Sequence, residues 1–203
     1  MIYLIGGPAR CGKSTLAQRF RAQIDGQVVT TDAFLSSIRN NVKPEQFPAF
    51  FTRIYDPTKL MVDPKAKSER FFRRDAAAWA FYRKYLEIAA EKAPDDDILM
   101  DGNLWPDLVQ TLQLPHRAVF LIDTSVEQFR RVIAIRDSDT NQNNWMQGYS
   151  DEGLVRWAKM NAARSQRYVL YCEKYNYPYF DLAQHDIAHA QQLAFEHLIN
   201  RFN

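Results

Sequence analysis

The chain has 203 residues, 46% of them hydrophobic and 13% aromatic, which suits a single domain with a substantial core. A formal net charge of +2 argues against wholesale nucleic-acid binding, and no apolar run approaches the ~20 residues of a transmembrane helix, so no membrane partner is expected. The two cysteines, Cys11 and Cys172, form no disulfide framework, and the chain enters a strand at once with no room for a signal peptide; a reduced, cytoplasmic location is the expectation.

The first element is "MIYLI", a short apolar run of β-formers suited to a buried parallel strand. It leads into "GGPARCGKST", which holds three of the seven glycines. Gly7-Pro8-Ala9-Arg10-Cys11-Gly12-Lys13-Ser14 fits G-x-x-x-x-G-K-[ST], the phosphate-binding P-loop (Walker A). Glycine admits positive φ and lets backbone N–H groups curl around an anion, to which the following helix N-terminus adds partial positive charge. Residues Gly7 to Thr15 would thus cradle the phosphates of ATP, with Lys13 on the β- and γ-phosphates and the Ser14 hydroxyl on Mg²⁺. The plainer reading is a glycine turn between a strand and a helix. Context favours the phosphate site, because Leu16, Ala17, Phe20 and Ile24 follow at helical spacing.

Further along, residues 28–31 are β-branched and read as a second buried strand ending at Asp32. Residues 40–67 hold Pro44, Pro48, Pro57 and Pro64 with Phe47, Phe50, Phe51 and Tyr55 between them; such a ring-rich loop is a candidate substrate pocket. A long helix is expected from about 68 to 92, where Trp79, Tyr82 and Tyr85 at spacings of three read as a core stripe rather than a stacking platform. From Arg53 to Lys84, nine Lys or Arg face four Asp or Glu, a local excess that fits an anionic substrate. A third strand at 98–100 ends at Asp101-Gly102, and a fourth at 118–122 ends at Asp123. A helix over about 126–135 carries Arg130 and Arg131, followed by a polar loop that reads as mobile, a helix over 154–174, a fifth strand in "YPYFDLA" and a closing helix over 187–202. The histidines His185, His189 and His197 lack acidic partners arranged for zinc.

Strands alternating with helices imply a parallel α/β sheet with helices on both faces, in which ligands bind at the carboxyl ends of strands. That edge would gather Gly7, Asp32, Asp101 and Asp123. Helix N-capping is the plainer role for each aspartate, and most of all for Asp123. Within one domain, 1–203, residues of about 40–95 would form a substrate-binding segment and about 136–170 a lid. Arg136, at the entrance to the polar loop, is the best single phosphate-clamp candidate. Arg156, Lys159, Arg164 and Arg167 fall within roughly 140° on one helix face, at ~100° per residue, either as a clamp or as a solvated stripe.

These stretches resemble the P-loop kinases, the superfamily of nucleoside, nucleotide and small-metabolite kinases. "IYLIGGPARCGKSTLAQRF" looks like their opening strand, P-loop and first helix. "VVTTDAFL" is similar to the second strand of uridine-kinase-like and pantothenate-kinase-like members, and chloramphenicol phosphotransferase and zeta-toxin-like kinases also carry an Asp there; the resemblance places Asp32 near the acceptor hydroxyl. "ILMDGN" looks like their third strand, which implies that Asp101 helps organise the metal. "FRRVIAIRD" is similar to their arginine-bearing lid segment, which implies lid roles for Arg130, Arg131 and Arg136. The chain departs from the adenylate-kinase-like pattern, because Asn103-Leu104-Trp105 follows Asp101-Gly102 where those enzymes show Pro-Arg. The resemblance implies a P-loop NTP hydrolase fold with a five-stranded parallel sheet, and ATP- and Mg²⁺-dependent transfer to a hydroxyl of a small metabolite; the basic segment leaves open both a neutral and an already anionic acceptor. Asp32 would orient that hydroxyl or accept its proton, a contribution of ~10²–10⁴ in rate. The alternative is an ATPase or switch module that hydrolyses NTP without an acceptor; the guanine-reading Asn-Lys-x-Asp pattern is absent.

Overall fold

The computed structural model describes residues 1–51, 63–139 and 145–200. Tyr55 and Pro57, with parts of the expected substrate-binding segment and lid, lie outside the described residues. The strands are β1 (Ile2–Gly6), β2 (Gly26–Thr30), β3 (Asp97–Asp101), β4 (His116–Ile122) and β5 (Tyr179–Asp181). They form one parallel sheet in the order β2-β3-β1-β4-β5. The helices are α1 (Lys13–Arg21), α2 (Thr31–Asn41), α3 (Pro64–Lys92), α4 (Pro106–Val109), α5 (Gln128–Ser138), α6 (Asp151–Tyr175) and α7 (Ile187–Ile199).

Alternation along the central strands divides the core between the two faces of the sheet. Ile5, Leu99, Val119 and Leu121 turn to one face, where Leu16, Ala17 and Phe20 of α1 and Ala190, Ala194 and Leu198 of α7 cover them. Leu4, Ile98, Met100 and Phe120 turn to the other, against Phe71, Ala78, Tyr82 and Leu86 of α3 and Leu154, Trp157 and Tyr168 of α6. Period-two side chains with apolar residues on both faces are what a sheet covered on both sides requires. The doubly covered α/β fold expected from the sequence is the one observed.

The topology also fixes where a ligand can sit. β1 and β3 are neighbours, yet β1 leads on to β2 and β3 leads on to β4, on opposite sides of the pair. Connections that diverge in this way open a crevice at the carboxyl ends of adjacent parallel strands. The register sets Asp101 beside both Ile5 and Thr30. The end of β3 therefore lies between the P-loop and the start of α2.

Three local expectations are corrected. Thr31 does not extend the second strand: β2 stops at Thr30, whose Oγ1 accepts from Ala33 N at 3.2 Å and caps α2, a helix the β-branched run concealed. β2 is at the edge of the sheet among the described residues and is only half-buried at Val28 and Val29. Phe47 and Phe50 stack at 5.4 Å and both meet Phe81 of α3 edge-on, so these rings pack the segment onto the helix; Phe51 is exposed. Trp79 and Tyr82 are buried in the core, and their polar tips are satisfied by Thr111 Oγ1 at 2.9 Å and Thr31 O at 3.2 Å.

Candidate active site

The P-loop owes its shape to three residues of positive φ. Gly7 has φ 136°, Arg10 φ 65° and Gly12 φ 83°. A Cβ on Gly7 would meet the Leu121 carbonyl in addition to straining the backbone, so glycine is required there. Gly12 is the N-cap of α1 and offers no side-chain cap, and the first turn carries no acidic residue. The first N–H groups of α1 thus keep their capacity for an anion.

Carbonyls of the same loop are held from outside. Asn161, fully buried on α6, donates Nδ2 to Ala9 O at 3.2 Å and to Gln128 Oε1 at 2.7 Å. Arg131 donates to Arg10 O at 3.4 Å and to Asp123 Oδ2 at 2.8 Å. Gln191 of α7 donates to Gly12 O at 2.8 Å. Engaging these carbonyls from α5, α6 and α7 fixes the loop's peptide planes before any ligand arrives, and such preorganisation is what electrostatic catalysis needs. Sequence reading missed Asn161 and Gln128, since their partners lie far away along the chain.

Lys13 is buried, and its ammonium donates to Pro8 O at 2.6 Å across the loop. Burial pushes its pKa below the ordinary lysine value. Cys11 turns inward, donates weakly to Ala9 O at 3.7 Å, and has its thiol pushed up to about 12 by burial; it is a packing residue without reactivity. Ser14, one residue beyond Lys13, donates Oγ to Asp101 Oδ2 at 3.2 Å. Asp101 is 2% exposed, its other oxygen has no hydrogen-bond partner, and burial raises its pKa. A hydroxyl and a buried carboxylate with a spare oxygen fit the protein's share of a Mg²⁺ site, which ordinarily uses one or two carboxylates with phosphate oxygens and waters. Among the described residues no cluster of three His, Cys, Asp or Glu forms a metal cage.

One cavity of about 270 Å³ brings these groups together: Lys13, Ser14 and Asp101 line it with Asp32, Arg74 and Asn103, and Trp145 closes one side. Asp32 stands exposed in the first turn of α2. Arg74 and Asn103 were not singled out from sequence; the position of Asn103 directly after Asp101-Gly102 was the available signal. A larger cavity, about 570 Å³, opens beside Met1, Asp97 and Arg117 at the amino ends of the strands. It is remote from the P-loop, and the smaller cavity holds the chemistry.

Arg136 does not line this cavity. Its guanidinium is held by Asp137 and Asp151, each at 2.7 Å, and by Tyr149 O at 3.0 Å. It ties the end of α5 to the start of α6. Asp123 is not a helix N-cap, the position before α5 being held by Glu127; it accepts from Ser125 N at 3.1 Å in a local turn and from Arg131. The basic stripe of α6 divides: Arg156 and Lys159 are exposed, Arg167 is neutralised by Glu69 at 2.8 Å, and Arg164 is fully buried. Arg136→Ala is accordingly expected to lower thermal stability while leaving turnover on an identified acceptor within about twofold; a tenfold loss of kcat without loss of stability would return Arg136 to the catalytic site.

No protein-family model and no curated protein matches the chain. Among solved structures, an uncharacterized protein from Eubacterium ventriosum aligns over 99% of both chains at 13% identity, with a TM-score of 0.50. The five-stranded parallel sheet with helices on both faces is the architecture expected from the sequence. A shikimate kinase from Bacteroides thetaiotaomicron aligns over 97% of both chains at 15% identity and TM-score 0.49, and a deoxyadenosine kinase from M. mycoides with bound dATP over 98% of this chain and 100% of its own at 15% and 0.48. At these identities the likeness is one of fold alone. Among the described residues, no helix is long and apolar enough to cross a membrane.

Proposed function

We propose that the chain is an ATP- and Mg²⁺-dependent kinase that transfers a phosphoryl group to a hydroxyl of a small molecule. The observation that carries this reading is the shared cavity, in which a P-loop lysine and serine face two carboxylates, Asp32 and Asp101, from different strand ends. A hydrolase needs room for a water; the further wall formed by Arg74 and Asn103 gives room for an acceptor.

The roles follow from chemistry. Phosphoryl transfer asks little covalent work of the protein and much positioning and charge neutralisation. The N–H groups of the P-loop and of the first turn of α1 bind the phosphates, and the Lys13 ammonium moves from Pro8 O to the β- and γ-oxygens. Bound Mg²⁺ would neutralise phosphate charge and act as a Lewis acid, with Ser14 and Asp101 as its protein ligands. Asp32, in reach of solvent and of the cavity, orients the acceptor hydroxyl and takes its proton.

The test is ATP turnover with and without acceptors. Nucleosides, sugars, glycerates and aminoglycosides are supplied singly with MgATP, and ADP formation is followed. Turnover is expected to rise at least tenfold above background with one class. Substantial turnover that no acceptor changes would instead favour an NTP-hydrolysing module.

A further inference from the structure

Asn103 is a half-buried residue of the cavity wall, held at both its backbone and its side-chain oxygen. Its N–H donates to Thr31 Oγ1 at 3.0 Å, and its Oδ1 accepts from Arg164 Nη2 at 3.2 Å. Thr31 is buried and opens α2 one residue before Asp32, which lines the same cavity. Arg164 is 0% exposed, does not line the cavity, and reaches Asn103 from the α6 side. Its guanidinium is packed 4.2 Å from the ring centroid of Phe71 and 5.4 Å from that of Trp105. Asn103 Nδ2 has no partner among the described residues.

The two ends of an amide are alike in shape, and the arginine tells them apart. A guanidinium has five donors and no acceptor and stays charged, so the atom that meets it can only be the amide oxygen. The NH2 is therefore the end left over, on a residue of the cavity wall. A cation on the oxygen also polarises the amide and strengthens its N–H donors. Asp32 and Asn103, tied through Thr31, thus offer the cavity opposite functions: a carboxylate that only accepts and an amide end that only donates.

We infer that Asn103 selects the acceptor: its Nδ2 donates to an oxygen carried next to the hydroxyl that receives the phosphoryl group, and Arg164 is the positioning residue that holds the amide in that orientation. The inference rests on the kinase reading and narrows its substrate class. The acceptor is a hydroxy compound with a second oxygen on a neighbouring carbon, as a further hydroxyl, a carbonyl or a carboxylate. Asp32 takes the proton of the reacting hydroxyl while Asn103 reads the oxygen beside it. A site that hydrogen-bonds a substrate oxygen rejects the analogue without it, because the site's own donor is then left unpaired.

The test uses the full chain saturated with Mg²⁺ and a non-hydrolysable ATP analogue, to which uridine, ribose, glycerate or kanamycin is added singly. The Asn103 NH2 resonances, assigned by their loss in Asn103→Asp, are followed by NMR. One of the four compounds is expected to shift them saturably. Asn103→Ala should then weaken that compound at least tenfold and the analogue less than about twofold. A deoxy counterpart of the compound, without the neighbouring oxygen, should lose as much on the natural protein and nothing further on Asn103→Ala. In Arg164→Met the amide can turn either end to the ligand, so adding Asn103→Ala should cost about threefold or less; a merely structural Arg164 would leave the tenfold cost intact. Asn103→Asp keeps an oxygen for Arg164 and gives it a carboxylate, so it should melt no lower than the natural protein while losing the compound as Asn103→Ala does. If Arg164→Met does not fold, the two Asn103 variants decide. Resonances that none of the four compounds shifts, or a compound whose affinity Asn103→Ala leaves within about twofold, overturn the inference and leave the kinase reading standing. A saturating shift with the analogue alone would give the amide to the transferring group and also overturn it. Failure of the analogue to bind counts against the kinase reading instead, and the four titrations without nucleotide then judge the amide.

Discussion

Lys13→Ala is expected to abolish most of the thermal stabilisation that MgATP confers. At a hundred times its dissociation constant, a ligand that binds only the native state stabilises it by about 2.7 kcal/mol. For a domain of this size that corresponds to roughly 5–10 °C, at about 2–4 °C per kcal/mol. The lysine supplies much of this because its ammonium is already desolvated within the loop, where its charge is felt more strongly than in water. The same burial predicts the behaviour of the ligand-free variant. The folded-state pKa of Lys13 lies below its unfolded value, so its contribution favours the fold above the ordinary lysine pKa and is lost as pH falls through the lowered one. Removing it at neutral pH should therefore leave ligand-free stability unchanged or slightly raised, which separates a binding defect from a folding defect. An undiminished MgATP shift in a well-folded Lys13→Ala protein would mean that nucleotide binds elsewhere.

What the sequence made legible, and what it hid, follows from how local each signal is. The P-loop and the strand ends at Asp101 and Asp123 were readable because glycine placement and apolar runs act within a few residues. Helix α2 was hidden by Thr30 and Thr31, which look like strand residues, although one ends β2 and the other begins the helix. The spacing of Phe34, Leu35 and Ile38 carried its helical signal. The arginines show the limit more sharply. Arg136 and Arg164 are chemically identical, and a place at the entrance to the polar loop favoured Arg136. Its fate is set by Asp151, fifteen residues on, which pairs with it at the start of α6. Arg164 is instead carried inward by the packing of α6 on α3, against Phe71 and Trp105, and no local pattern announces that contact. Asn161 likewise reads as an ordinary polar residue in a helix until the fold brings it to the P-loop carbonyl of Ala9.

Asp32→Asn and Asp101→Asn are expected to fail in different ways within one magnesium titration. Asparagine keeps the size of aspartate but cannot take a proton at neutral pH. Exposed Asp32, which makes no tie to Ser14, should tolerate the change structurally, so nucleotide affinity should persist while transfer to the identified acceptor falls ~10²-fold or more. No concentration of Mg²⁺ should restore it. Asp101→Asn keeps an oxygen to accept from Ser14 Oγ but removes the negative charge that a divalent cation requires. Its defect should appear as a higher Mg²⁺ requirement and be partly rescued by excess metal. Burial raises the pKa of Asp101, so its contribution favours the fold below the ordinary carboxylate pKa and is lost as pH rises through the raised one. At neutral pH the asparagine variant should consequently melt no lower than the natural protein without ligand. Below the raised pKa, Asp101 is protonated and must give up its proton to bind metal, so the natural protein should need more Mg²⁺ as pH falls, and Asp101→Asn should lack that dependence. Rescue of Asp32→Asn by Mg²⁺, with Asp101→Asn insensitive to it, would reverse the two roles. Full acceptor-dependent turnover in Asp32→Asn would remove the base assignment altogether.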